Sequence, residues 1–262
     1  MFSQNPFAEV SASVPPVLIQ AFVIIMVILV IAGTAFDVIH KKSAKYFSES
    51  WRRSKENGSK QVSGSEVVSL ALQTAVSEVL TSSEFCNPNR RIAHLLTMYG
   101  LVVHVVATAA LVFGYPAMAD AGIWPLLWHL GALAVCVGGY WFWFFIRVDV
   151  AAEGNSPFRV IRADLFILSL LASATLALIW SAVQAAGTSV GSYIFFGLYL
   201  AANAVLFGGV PWSKFAHMFF KPAAAVQKHV AEASGARDNL PPPADQPEQF
   251  GLGIKRELPR HY

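Results

Sequence analysis

Five long apolar runs constrain this chain more than any other feature. They cover Val17 to Ile39, Ile92 to about Tyr115, Ile123 to about Ile146, about Asp164 to Ala186, and Val190 to about Phe207. Crossing a bilayer core as a helix takes about 20 residues. Backbone groups in hydrocarbon must satisfy one another within the segment, so each run is predicted to be a helix. The expected fold class is all-α, an integral membrane bundle of five transmembrane helices. Composition agrees: 55% of the residues are hydrophobic and 13% charged, about half the charge of an ordinary soluble domain.

The placement of charge sets the expected orientation. The segment before the first run carries Glu9 and no base. A secretory signal needs a positive leader, so the first run is expected to stay as a helix. Lys41, Lys42, Lys45, Arg52, Arg53, Lys55 and Lys60 follow it closely. Segment 147–162 and the C-terminal segment hold most of the other bases, and the turns at 116–121 and 187–189 hold none. The positive-inside rule then puts the N-terminus outside and the C-terminus in the cytoplasm. Residues 1–16 form an external segment and 17–39 the first transmembrane helix. Residues 40–91 form a cytoplasmic basic loop with an amphipathic helix, 92–220 a four-helix membrane core, and 221–262 a cytoplasmic tail.

Within the basic loop, Val67, Leu70, Leu72, Val76, Val79 and Leu80 recur at helical spacing after Ser63-Gly64-Ser65. This helix is too polar to cross. It is expected to lie on the membrane surface, dock a soluble partner or pack on its own bundle. Gly208-Gly209-Val210-Pro211 interrupts the last apolar stretch. Proline lacks a backbone donor, so a kinked or interfacial turn is expected there, before Trp212 to Phe220. Residues Ala223 to Tyr262, with Pro241-Pro242-Pro243, read as mostly disordered or ordered only on a partner.

The histidines carry the chemistry. Arg90 and Arg91 stand at the mouth of the second run, with His94 and His104 inside it. An imidazole in a membrane helix needs a partner, because an unpaired polar ring is costly in hydrocarbon. Haem iron in an electron-transfer site takes two axial ligands, and imidazole suits it. His94 and His104 are ten residues apart, about 15 Å along a helix, so they cannot share one iron. His217 follows the return of the fifth span and matches His94 in depth. Arg90, Arg91, Lys214 and Lys221 stand near this pair. They either neutralise haem propionates or serve as plain positive-inside anchors.

His129 enters on the third span at about the depth of His104. Gly100, Ala107 and Gly131 are small enough neighbours to admit a flat macrocycle. The other reading of this pair is a hydrogen-bonded contact between helices. One haem b is therefore expected and a second left open. His40, His229 and His261 are expected to face solvent. Cys86 and Cys136 form no C-x-x-C pair and read as structural, unbridged thiols. Tyr99, Trp212 and Lys214 are candidates for a quinone pocket, or else interface anchors.

Other function classes fare worse. No nucleophile–base pair or hydrolase metal spacing is present, so catalysis is expected at most as quinone chemistry beside a haem. A transporter would carry repeats and mid-membrane carboxylates; no repeat is visible and no acid sits at a span centre. No nucleic-acid partner is expected.

Three stretches together point to a family: Asn89-Arg90-Arg91-Ile92-Ala93-His94, then Tyr99-Gly100, then Pro211-Trp212-Ser213-Lys214-Phe215-Ala216-His217. Over roughly residues 89 to 220 the chain resembles membrane cytochrome b subunits of the nitrate reductase gamma type. It is closer to the membrane subunit of the quinone-interacting membrane-bound oxidoreductase complex and to the adenylylsulfate reductase membrane anchor of sulfur-oxidising bacteria. The resemblance implies a five-span protein of sulfur metabolism that carries electrons between a cytoplasmic flavin and iron–sulfur oxidoreductase and quinone. It also implies haem ligands at His94, His104 and His217. The fourth ligand of that scheme should lie near Tyr199, where this chain has no histidine. The iron–sulfur domain fused to some relatives is absent, which favours adenylylsulfate reductase as the separate partner. The alternative is a haem-free membrane anchor or scaffold for a cytoplasmic enzyme.

Overall fold

The computed structural model describes residues 2–40, 42–85, 87–149, 154–213, 215, 217–236, 249–250 and 254–255, with the side chains of Ser43, Ser189, His217 and the last four outside that description. Among these residues nine α-helices follow one another: α1 (Pro6–Val10), α2 (Pro16–His40), α3 (Ser43–Glu56), α4 (Gly64–Thr74), α5 (Pro88–Ala109), α6 (Trp124–Trp141), α7 (Leu165–Ala185), α8 (Ser189–Gly208) and α9 (His217–Ser234). Wider π-type turns extend α4 over Ala75–Leu80, α5 over Ala110–Gly114 and α6 over Phe142–Ile146. A two-residue antiparallel pairing sets Gln249–Phe250 beside Ile254–Lys255. The protein is all-helical in architecture. Five helices are long and apolar enough to span a membrane: Pro16–His40, Pro88–Gly114, Trp124–Ile146, Arg162–Ala185 and Val190–Gly208. Their length and composition make it a multi-pass membrane protein.

The chain divides into two compact units. Unit 1 comprises Met1–Asp37 and Ile92–Ala216. Its helices approach closely through small residues, as membrane helices must when no hydrophobic effect drives them together. A Cβ on Gly131 would stand 2.6 Å from the backbone N of His104, and one on Gly100 would stand 2.8 Å from the carbonyl of Gly131. At Gly138 the same atom would meet the Ala93 carbonyl at 2.6 Å, and at Gly139 the Leu171 side chain at 2.6 Å. The Gly208–Pro211 break is packed: Val210 is buried, and a Cβ on Gly33 of α2 would lie 2.9 Å from the Val210 Cβ. The outward faces of α2, with Ile24, Ile28 and Ile31, remain exposed in the protein alone, as expected for surface that meets lipid.

The N-terminal segment closes one end of this unit. Asn5 caps α1 by accepting from the Phe7 N–H at 3.0 Å, and its Nδ2 donates to the carbonyls of Tyr115 and Met118. Gln184 Nε2 donates to the Pro6 carbonyl at 3.0 Å. Phe7 then sits edge-on to Trp128 and Trp180. In the loop after α6, Arg147 is buried. It bonds Asp164 Oδ2 at 2.6 Å and the carbonyls of Arg159 and Ser156, with its guanidinium 4.0 Å from the Trp143 ring centroid.

Unit 2 comprises Val38–Arg91 and His217–Tyr262. Its helices α3, α4 and α9 are tied by polar contacts. Lys60 N–H donates to the Ser234 carbonyl at 3.1 Å, and Ser59 Oγ donates to the same carbonyl. His229 of α9 bonds Glu78 at 2.5 Å, and Lys221 bonds Glu84 at 2.8 Å. Ser63 caps α4 by accepting from the Glu66 N–H. Between α3 and α9 lies an apolar groove of about 500 Å³, lined by Phe47, Ser48, Trp51, Ala223 and Val226.

Two sequence expectations change. The basic loop contains a second helix, α3, whose apolar positions are too few to stand out in sequence. The segment expected to be disordered after Ala223 is helical to Ser234, where Gly235 at φ +73° ends it. The first transmembrane helix, up to Asp37, belongs to the same unit as the other four.

Candidate functional site

The buried polar groups of unit 1 gather around Trp128. This ring is wholly buried on α6 and donates from Nε1 to Thr108 Oγ1 of α5 at 3.0 Å. Thr108 in turn donates to the His104 carbonyl at 2.7 Å, one turn back along the same helix. His104 lies against Trp128, with ring centroids 4.9 Å apart, and its Nδ1 is 2.9 Å from the Trp128 carbonyl. That carbonyl can only accept, so Nδ1 carries the hydrogen. His104 Nε2 is then an acceptor, buried and without a hydrogen-bond partner among the described residues.

His129 is one residue from Trp128 and is wholly buried. Its Nδ1 lies 2.6 Å from the Pro125 carbonyl, one turn earlier, so Nδ1 donates. Its Nε2 accepts from Ser181 Oγ of α7 at 2.7 Å. Phe2 meets the ring edge-on at 5.0 Å. Tyr199, on α8, stacks on Trp180 with centroids 5.7 Å apart and stands edge-on to Trp128 at 6.2 Å. The Tyr199 hydroxyl interacts with Thr108, Trp128 and Asn203.

As placed, His104 and His129 are not arranged as the expected second haem pair. A metal shared by His104 and His129 would need one free nitrogen from each and a gap for the macrocycle. Both His129 nitrogens are held by protein groups. The small residues Gly100 and Gly131, expected to admit the macrocycle, instead bring α5 and α6 into backbone contact. His104 and His129 do not fit a common haem. In place of a bond between the two rings, His104 bonds the Trp128 carbonyl and His129 bonds Pro125 and Ser181, and His104 Nε2 keeps no hydrogen-bond partner among the described residues.

The remaining site residues fall as follows. Arg90 is half-buried in the first turn of α5, its guanidinium 5.5 Å from the Phe85 ring centroid. Asn87 Oδ1 accepts from the N–H groups of Asn89 and Arg90, capping that helix, with Pro88 at its start. Arg91 Nε donates to the Thr81 carbonyl at 2.7 Å. His94 is half-buried on α5. Lys221 is engaged by Glu84. Lys214 and the His217 side chain, and with them the expected pairing of His94 with His217, lie outside the described residues. So does Cys86. Cys136 is a free thiol 3.6 Å from Thr175 Oγ1. Tyr99 and Trp212 are exposed at 45% and 65%. Among the described residues no three His, Cys, Asp or Glu side chains converge to hold a metal ion.

Sequence reasoning passed over Trp128, Trp180 and Thr108. Trp and Thr on separate apolar runs carry no mutual spacing, and only packing joins them. The neighbouring Trp128-His129 was the available signal, since a tryptophan N–H in a membrane core also needs a partner.

No protein family, curated protein or solved structure matches the chain.

Proposed function

We propose that this chain is the membrane subunit that anchors a cytoplasmic flavin and iron–sulfur oxidoreductase, adenylylsulfate reductase by the resemblance, and links it to the quinone pool through haem b. The observation that carries the reading is His94. It is a half-buried imidazole within the second turn of a membrane-spanning helix, with Arg90 and Arg91 in the turn before it. His94 and His217 would be the axial ligands, and Arg90, Arg91 and Lys214 would face the propionates. The haem would supply a one-electron relay between the soluble enzyme and quinone. The protein then lies in the bacterial cytoplasmic membrane with its N-terminus outside, and unit 2 meets the cytoplasm.

Purified wild-type protein should show a Soret band and a pyridine haemochrome signal. His94→Ala and His217→Ala should each abolish the haem. An unchanged spectrum in either variant removes that residue from the site, and a colourless wild type purified from haem-replete cells removes the haem altogether.

The second reading is a haem-free anchor for the same kind of enzyme. The closed hydrogen bonding of His129 and the Gly100–Gly131 contact support it, because both nitrogens of that imidazole are engaged by protein groups. A colourless protein that still retains the enzyme on the membrane would establish it.

A further inference from the structure

Helix α4 and its π-type extension, Gly64 to Leu80, are apolar on two sides. One side is used within unit 2: Thr74 is buried, Val67, Leu70 and Ala71 are half-buried, and Glu78 bonds His229 of α9. The other side carries Val68, Leu72, Val76 and Leu80, exposed at 59%, 64%, 57% and 50%. This helix is not among the long apolar helices that can span the membrane.

We propose that the Val68–Leu72–Val76–Leu80 stripe is the seat of a soluble protein partner, which lays an apolar groove over it in the manner of helix-in-groove recognition. Charge selects this occupant. No Lys or Arg occurs between Lys60 and Arg90. The three glutamates of that segment are each held inside unit 2, Glu66 by Lys60, Glu78 by His229 and Glu84 by Lys221. The stripe is therefore framed by neutral Ser65, Ser69 and Gln73. Helices that lie on an anionic bilayer carry Lys and Arg on the polar face, as α3 does with Lys45, Arg52, Arg53 and Lys55. The core of a protein interface, in contrast, is depleted of charge. The inference rests on the reading above for the partner's identity, a cytoplasmic flavin and iron–sulfur enzyme.

The test uses the full-length chain in nanodiscs of phosphatidylethanolamine and phosphatidylglycerol, with purified adenylylsulfate reductase holoenzyme as probe. Binding is measured for wild type and for Leu72→Gln/Val76→Gln. In parallel, a bimane label on Leu72→Cys, with Cys86 and Cys136 changed to Ser, is quenched by iodide. The expected result is binding to wild type, at least tenfold weaker binding by the double variant, and at least a twofold loss of iodide quenching when the enzyme binds. Equal binding by both, or unchanged quenching, overturns the docking inference and leaves the anchor reading standing. No binding to wild type overturns the anchor reading and the inference together. Strong quenching by nitroxide-bearing lipid before enzyme is added assigns the stripe to the bilayer. A dimer abolished by the double substitution assigns it to a second copy. Either of these outcomes overturns the proposal.

Discussion

Arg147 and Lys221 each pair with a carboxylate, one in unit 1 and the other in unit 2, and the pairs have little else in common. The Arg147 side chain is 3% exposed, and its guanidinium also satisfies two carbonyls and covers an indole. The Lys221 side chain is 58% exposed, and its partner Glu84 is 36% exposed. The same contrast runs through the rest of each unit. In unit 1, glycines bring backbones together and every donor of the Trp128–His129 pair is placed. In unit 2, helices are tied at their polar edges and leave apolar faces open. A membrane-embedded bundle must satisfy its polar groups internally, because no water will do so. A unit whose polar groups can bond to water has no such obligation, and its apolar faces can stay uncovered by its own helices.

The largest expected effect is at the first of these pairs. Arg147→Ala strands Asp164 and should cost about 3–5 kcal/mol, read by chemical unfolding in detergent micelles. Lys221→Ala should cost about 0–1 kcal/mol, as exposed pairs do. Equal losses would erase the distinction drawn between the units.

Glycine gives a sharper test, because one kind of substitution should change sign. Gly131→Ala pushes a methyl to within 2.6 Å of the His104 backbone and should cost about 1–3 kcal/mol. Gly64→Ala, in the first turn of α4 with nothing within 4 Å, should gain about 0.4–1 kcal/mol by reducing unfolded-chain freedom. A loss at Gly64 would mean that unit 2 is packed more tightly there than its open contacts indicate.

Ser181→Ala leaves the buried Nε2 of His129 unpaired and should cost about 1–3 kcal/mol. Ser63→Ala removes the α4 cap and should cost about 0.5–1 kcal/mol, seen as lost helical circular dichroism. The smallest effect concerns pH. The Lys60 ammonium, hydrogen-bonded to Glu66, holds that carboxyl below its ordinary value of 4.5. A lowered folded-state value means the tether stabilises above the unfolded-state pKa and is lost as pH falls through the folded-state one. An NMR titration of Glu66 with a midpoint at or above 4.5 would contradict the bond.

Much of the fold was legible in sequence because hydrocarbon admits few solutions. An apolar run of about 20 residues has to be a helix, and the five runs fall within a few residues of the observed helices. Pro88 after Asn87, Gly187 and the Gly208–Pro211 break mark ends by local backbone chemistry. Helix α3 was missed because Phe47 and Trp51 alone make too short an apolar signal among so many charges. The site was legible only as a set of residue types. Histidines in membrane helices announce that partners exist, and depth arithmetic could match His104 with His129.

What the sequence determined by itself was the number of spans, their helical state and the chemistry available along each. Those follow from local rules of hydrogen bonding and hydropathy. Only tertiary structure decided that His129 spends both nitrogens on Pro125 and Ser181, that Gly131 closes the space beside His104, and that α4 turns a row of valines and leucines outward. Each depends on distances between segments far apart in the chain. Periodicity fixes which face a residue occupies, and leaves open what stands opposite it.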